Sequence, residues 1–185
     1  MDDINALVER LRHQPALSFS GLPDLELYKD QVLAFLSRQE LSLREGDQLT
    51  SAMINNYTKD GLMPRAHGKK YAREHLAYLT LICRLKQVLS VKDTDLLLKE
   101  ALRDEPVELL FNRFSALLHG SLQSLAEEIE QSGSESLSST VLELAVSSYV
   151  NKIACEYLID CIARQGQTEK VEEDKEKKEK DAPKR

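Results

Sequence analysis

The sequence predicts an all-α protein. Apolar residues recur at helical spacing along most of the chain, as in Ile4, Leu7, Val8 and Leu11, or Leu76, Leu79, Ile82 and Leu85. Hydrophobic residues make up 42% of the chain, enough for a core, yet only 5% are aromatic and leucine dominates. Seven glycines and five prolines are few for the tight turns of a sandwich or barrel.

The elements come in order. Residues 2–13 form a short amphipathic helix with Asp2 and Asp3 at its positive end, stopped by Pro15. Ser18 to Pro23 is a linker that makes this helix an arm against the body or against a partner. Asp24 is read as the cap of the next helix, with Leu25, Tyr28, Val32, Leu33, Phe35 and Leu36 as its buried face. Leu41 to Gln48 connects that helix to a third, a longer turn than a minimal helix-turn-helix uses. Beyond Ser90, Lys92 to Arg103 is a helix. Pro106 opens another that Gly120 stops, and Ser121 to Gln131 adds a further one. The longest runs from Leu137 to about Arg164 and is apolar around much of its circumference, so it needs burial on more than one side. From Gln165 onward the charged run buries too little to offset ordering entropy and reads as a disordered tail or a frayed helical extension.

The most informative stretch runs from Leu49 to Leu89. Thr50 is a good N-cap, and Gly61 ends a short helix where a left-handed residue carries no Cβ penalty. Pro64 then prevents resumption. Ile54, Tyr57 and Gly61 share one face of this helix. Ser51, Asn55 and Lys59, with Asn56 beside them, form a polar stripe of the kind that reads a groove. Asparagine pairs twice with an adenine edge, and lysine meets guanine or phosphate. Next comes Arg65-Ala66-His67-Gly68-Lys69-Lys70, a loop short enough to be the turn of a small β-hairpin, with its charges suited to phosphates. A second amphipathic helix comes after it, with Leu76, Leu79, Ile82, Cys83, Leu85 and Leu89 as its apolar face and Arg73, Arg84 and Lys86 outside it. His67 and His75 read most simply as surface residues.

The order Thr50, Ile54, Tyr57, Gly61-Leu62-Met63-Pro64, basic loop, Tyr71, Leu76-Ala77, Leu79, Ile82, Arg84-Leu85 and Ser90-Val91 resembles the DNA-binding domain of MerR-type regulators. More closely, Met53 to Leu62 and the continuation from Lys69-Lys70-Tyr71 to Leu76 resemble a bacterial family known only as a domain of unknown function and generally taken to be MerR-like. That second resemblance extends over roughly residues 20–165, the first only from Thr50 to Val91. Together they imply an all-α, MerR-like winged helix-turn-helix with a small β wing, followed by a C-terminal helical bundle. Departures from the MerR-type pattern are visible. Ala52 and Asn55 stand where arginines are usual, Asn56 replaces a tyrosine, the wing is short, and Leu89 precedes Ser90 where a glycine is usual. Fewer arginines imply DNA binding that is weak, A·T-leaning or lost.

Charge supports the same stretch. The chain has net charge −6, against a polyanion partner overall. From Thr50 to Ser90, however, seven lysines and arginines face only Asp60 and Glu74. One basic island in an acidic protein is an electrostatic footprint for a polyanion, or for an acidic protein. Cys83, Cys155 and Cys161 form no metal-binding or redox spacing and read as reduced, buried thiols. No basic-then-apolar leader or membrane-length apolar run is present, so a cytoplasmic protein without membrane contact is expected. Phosphate-loop, nucleophile-elbow, zinc-protease and kinase signatures are all missing, and neither an enzyme nor a cofactor is expected.

The leading expectation is a DNA-binding transcriptional regulator acting on double-stranded DNA. Asn55, Asn56 and Lys59 face base edges, and Ser51, Arg65, Lys69, Lys70 and Arg73 hold phosphates. The organisation is an N-terminal arm and linker (1–22), a winged domain (23–90), a helical dimerisation or effector region (91–164) and a charged tail (165–185). A homodimer is expected, since DNA readers often pair to bind two half-sites. Two other readings stay open: a protein-interaction module on the winged scaffold, and a small-molecule sensor with an effector pocket among Phe111, Phe114, Tyr149 and Tyr157.

Overall fold

The structure, a computed structural model, describes residues 2–39, 48–131 and 137–180, with side chains placed within 4–166. The order is α1 (Asp2–Arg12), a 3-10 turn (Phe19–Gly21), β1 (Leu27–Tyr28), α2 (Lys29–Ser37), α3 (Ser51–Lys59), β2 (Lys70–Tyr71), α4 (Arg73–Leu85), α5 (Val91–Asp104), α6 (Val107–Gln131) and α7 (Leu137–Lys180). The protein is predominantly helical, and among the described residues the sheet has two short strands.

The core is built around α4. His75, Leu76, Ala77, Leu79, Thr80, Leu81 and Ile82 are all buried, so this helix is enclosed on nearly every side rather than on the single face its apolar spacing suggested. Val32 and Leu36 of α2, Ile54 and Tyr57 of α3, Leu98 of α5 and Leu110 and Phe111 of α6 converge on it. Thr80 sits in this apolar setting because its hydroxyl donates to the Leu76 carbonyl one turn back, at 2.8 Å. Arg84 closes the far end by donating to the Gln39 carbonyl after α2.

Several boundaries differ from the sequence reading. Asp24 does not cap α2. The chain stays extended through Leu27–Tyr28, the helix begins at Lys29, and Gln31 Oε1 accepts the Tyr28 N–H at 2.9 Å. Leu25 and Tyr28 are accordingly exposed. The connection Leu41 to Gln48 lies almost wholly outside the described residues. Gly120 does not stop α6, which runs unbroken to Gln131. An isolated glycine costs a helix only about 1 kcal/mol, and the apolar spacing continues past it through Leu122, Leu125 and Ala126. The N-terminal arm lies against that second half of α6: Val8 and Ala126 are buried, and Gln123 donates to the Arg12 carbonyl at 2.9 Å. Arg12 also pairs with Glu130, which holds that carboxyl below its ordinary range.

The last helix continues to Lys180 instead of ending near Arg164. This is the helical extension that the sequence reading kept open beside a disordered tail, and a Glu- and Lys-rich segment has the intrinsic helix propensity for it. Cys155 is exposed on this helix, and Cys83 and Cys161 are half-buried, so the reading of all three as buried thiols fails. They form no disulfide among the described residues.

Candidate nucleic-acid interface

The site begins with how α3 is terminated at both ends. Thr50 Oγ1 accepts the Met53 N–H at 3.2 Å, as its position as N-cap requires. At the other end Gly61 takes φ +75°. Its N–H reaches the Thr58 carbonyl at 3.4 Å, and the Leu62 N–H reaches the Tyr57 carbonyl at 2.9 Å. That pair of bonds is a Schellman cap, and it folds Leu62 back beside Tyr57 in the core. The cap fixes which face of α3 is turned inward. Ile54 and Tyr57 are buried, while Ser51, Asn55, Asn56 and Lys59 are exposed. Burial pushes the Tyr57 phenol up from its ordinary value, and its hydroxyl has no hydrogen-bond partner among the described residues.

The basic loop is a tight reversal. The His67 N–H bonds the Lys70 carbonyl at 3.2 Å and the Lys70 N–H bonds the His67 carbonyl at 3.1 Å, leaving Gly68 and Lys69 at the tip. Gly68 takes φ +63° and Lys69 keeps a negative φ, as a II′ hairpin turn demands. On its other side β2 pairs antiparallel with β1, Leu27 opposite Tyr71 and Tyr28 opposite Lys70. The small β structure, the expected wing, therefore has three chain segments, and one of them comes from in front of α2.

His75 anchors the base of this wing. It is buried, not a surface residue as its sequence context suggested. Nδ1 accepts the Ala72 N–H at 3.1 Å, satisfying a donor at the start of α4. Nε2 stands 3.1 Å from the Arg65 carbonyl, so the proton belongs on Nε2 and is donated there. Tyr71 and His67 pack edge-on against the same ring.

The strand pairing joins the two halves of the site. Tyr28 pairs with Lys70 in the wing, and the next residue, Lys29, donates from Nζ to Asn55 Oδ1 on α3 at 2.6 Å. Two consecutive residues thus touch both the polar stripe and the wing. Lys29 escaped the sequence reading because it lies outside the basic island. One signal was available: a lysine in the first turn of a helix opposes the macrodipole and usually answers to something else.

The segment that brings Lys29 also brings acids. Lys70 Nζ lies 3.6 Å from Glu26, and Arg73 pairs with Asp24 at 3.0 Å while stacking over the Phe19 ring at 5.7 Å. The guanidinium of Arg73, a residue expected on a phosphate, ties the N-terminal segment to α4 through this pair. Lys59, Arg65 and Lys69 are exposed and have no ion pair among the described residues. The basic island is thus thinner in three dimensions than in sequence.

The C-terminal effector pocket does not form as expected. Phe111 is fully buried in the core, whereas Tyr149 and Tyr157 are exposed on α7, so these residues line no common cavity. Among the described residues no cluster of three or more His, Cys, Asp or Glu side chains is placed to hold a metal, and no helix is long and apolar enough to cross a membrane.

These features define the class: a predominantly helical domain whose exposed polar helix and short two-stranded sheet share one core. A family model described as a domain of unknown function, DUF1836, matches residues 17–114, more than half of the chain, and the protein belongs to that family. The match runs from just before the 3-10 turn into the first third of α6, short of the extent to residue 165 that the resemblance suggested. Comparison with curated proteins and with solved structures gave no match.

Proposed function

We propose that this chain is a DNA-binding transcriptional regulator with a MerR-like winged helix-turn-helix, α3 entering the major groove and the wing lying on phosphates. The observation that carries the reading is the link through Tyr28 and Lys29, which holds the exposed face of α3 beside the wing strand. In this reading Asn55, Asn56 and Lys59 meet base edges, and Ser51, Arg65, Lys69 and Lys29 meet backbone. Asn55 gives up its bond to Lys29 when it pairs with a base, and Lys29 is then released toward the phosphates.

The test is fluorescence anisotropy with a pool of random duplexes. The wild-type chain binds, and Lys59→Glu plus Lys69→Glu weakens binding by roughly 100-fold. Both residues are exposed, so the variant keeps the wild-type circular dichroism. Equal affinity of wild type and variant contradicts the proposal.

A second reading, a protein-interaction module, is favoured by the pairing of Lys70 with Glu26 and Arg73 with Asp24. In that case the same face binds an acidic protein and is indifferent to DNA.

A further inference from the structure

Where α3 ends, a cleft of about 350 Å³ opens between the segment after its cap, α4 and α5. That lies within the roughly 300–1,000 Å³ typical of small-molecule sites. Its inner wall is apolar: Leu62, Met63 and Leu98 line it and are 3–4% exposed. Tyr78 and Leu102, both half-buried, and the exposed Pro64 complete the apolar lining. Lys99 stands at the mouth, with 59% of its side chain exposed. Its ammonium gives one N–H to Asp95 Oδ2 at 2.7 Å, one turn back on the same stripe of α5. The other two N–H groups have no partner among the described residues.

We propose that this cleft binds a small aromatic carboxylate, a molecule of one or two fused rings whose anionic end meets Lys99. Three properties select that class. The first is the apolar wall, which rewards a body without polar groups. The second is the kind of apolar group present. A methionine thioether is polarizable and favours a ring, and the Tyr78 ring offers an aromatic neighbour. The third is charge. Among the described residues that line the cleft Lys99 alone is charged, and it has N–H groups to spare for an acceptor. Asp95 already takes part of that field, so the anionic end adds to affinity without dominating it. Burial also pushes the Tyr78 phenol up from its ordinary value, so the hydroxyl stays protonated as a second donor. The cleft touches α3 through its cap: Gly61 and Leu62 line it, and the same two residues make the Schellman bonds to Thr58 and Tyr57. A molecule seated there holds Leu62 in place and stiffens the C-terminal end of α3.

The cleft lies within the family-matched span and shares none of the residues proposed to contact DNA. It is also separate from the pocket expected among Phe111, Phe114, Tyr149 and Tyr157, which does not form. Binding is read without DNA, so failure here and failure of the nucleic-acid reading are different results.

The test uses the full chain carrying 13C-methyl methionine, with 2-naphthoate as the probe. The methionines are Met1, Met53 and Met63, and the Met63 signal shifts saturably on titration while those of Met1 and Met53 stay in place. Lys99→Gln, at an exposed position that leaves the fold intact, weakens binding by roughly 10-fold. Naphthalene-2-methanol, which lacks the charge, binds wild type and the Gln variant alike and more weakly than naphthoate binds wild type. Decanoate, anionic but without a ring, also binds more weakly. Leu102→Trp fills the cleft and abolishes the Met63 shift, and saturating naphthoate slows amide exchange at residues 57–62. A Met63 methyl that does not move, a Gln variant that binds naphthoate as wild type does, or decanoate that binds as tightly as naphthoate would each overturn the proposal.

Discussion

The family-matched region and α7 handle their apolar residues in opposite ways. In residues 17–114 nearly every large apolar side chain of α4, and the inner faces of α2, α3, α5 and α6, goes into one shared core. In α7 the same residue types stay in solvent, and only Ile159 among the large ones is buried. The kinds of apolar residue do not separate these regions, since both carry leucine, isoleucine, valine and tyrosine. What separates them is the number of neighbouring elements. The matched region is wrapped by helices and strands, so its apolar faces close within one chain, while α7 lies against the body on one side only.

That contrast predicts where truncation is felt. Phe111→Ala, at a fully buried ring edge-on to Phe19, lowers stability by about 3–5 kcal/mol in urea unfolding. Tyr149→Ala, at a larger but exposed side chain, leaves stability within about 0.5 kcal/mol of wild type. Comparable losses at both positions would erase the distinction.

A smaller effect sharpens the account of the wing. His75→Phe keeps a ring in the core but loses the acceptor for the Ala72 N–H and the donor to Arg65. It is expected to cost about 1–3 kcal/mol and to speed amide exchange across residues 65–72, with α7 unaffected.

The smallest effect has the opposite sign. Tyr57→Phe removes a buried hydroxyl without a partner, so stability holds or rises by up to about 1 kcal/mol at neutral pH. The Tyr57 phenol is raised by burial in the folded state, so the unfolded chain ionises first. Wild-type stability therefore falls as pH climbs past the ordinary tyrosine value of about 10, and the Phe variant loses less there.

How much of the molecule is legible in its sequence depends on the range of the interactions. The caps at Thr50 and Gly61, the exposed stripe on α3 and the turn at Gly68 depend on residues a few positions apart, and local spacing reveals them. His75, Arg73 and Lys29 are misjudged or missed because their partners lie farther off in sequence: Arg65, Asp24 and Asn55. A basic count over a continuous window also cannot see that the strand before α2 folds back and brings Glu26 to Lys70. The exposure of the apolar side chains of α7 is hidden by the near absence of amphipathic asymmetry. A helix that is apolar all round shows a need for burial without showing which side is already met.

The most direct test of the central claim, that α3 and the wing form one polyanion-binding surface, is the salt dependence of DNA binding. For the wild-type chain, log affinity for duplex DNA falls linearly as log salt rises. Removing Arg65 and Lys69 together, each by substitution to Ala, flattens that slope by about 2, one counterion for each lost phosphate contact. A wild-type chain whose DNA affinity ignores salt, or a doubly substituted chain with an unchanged slope, would contradict it.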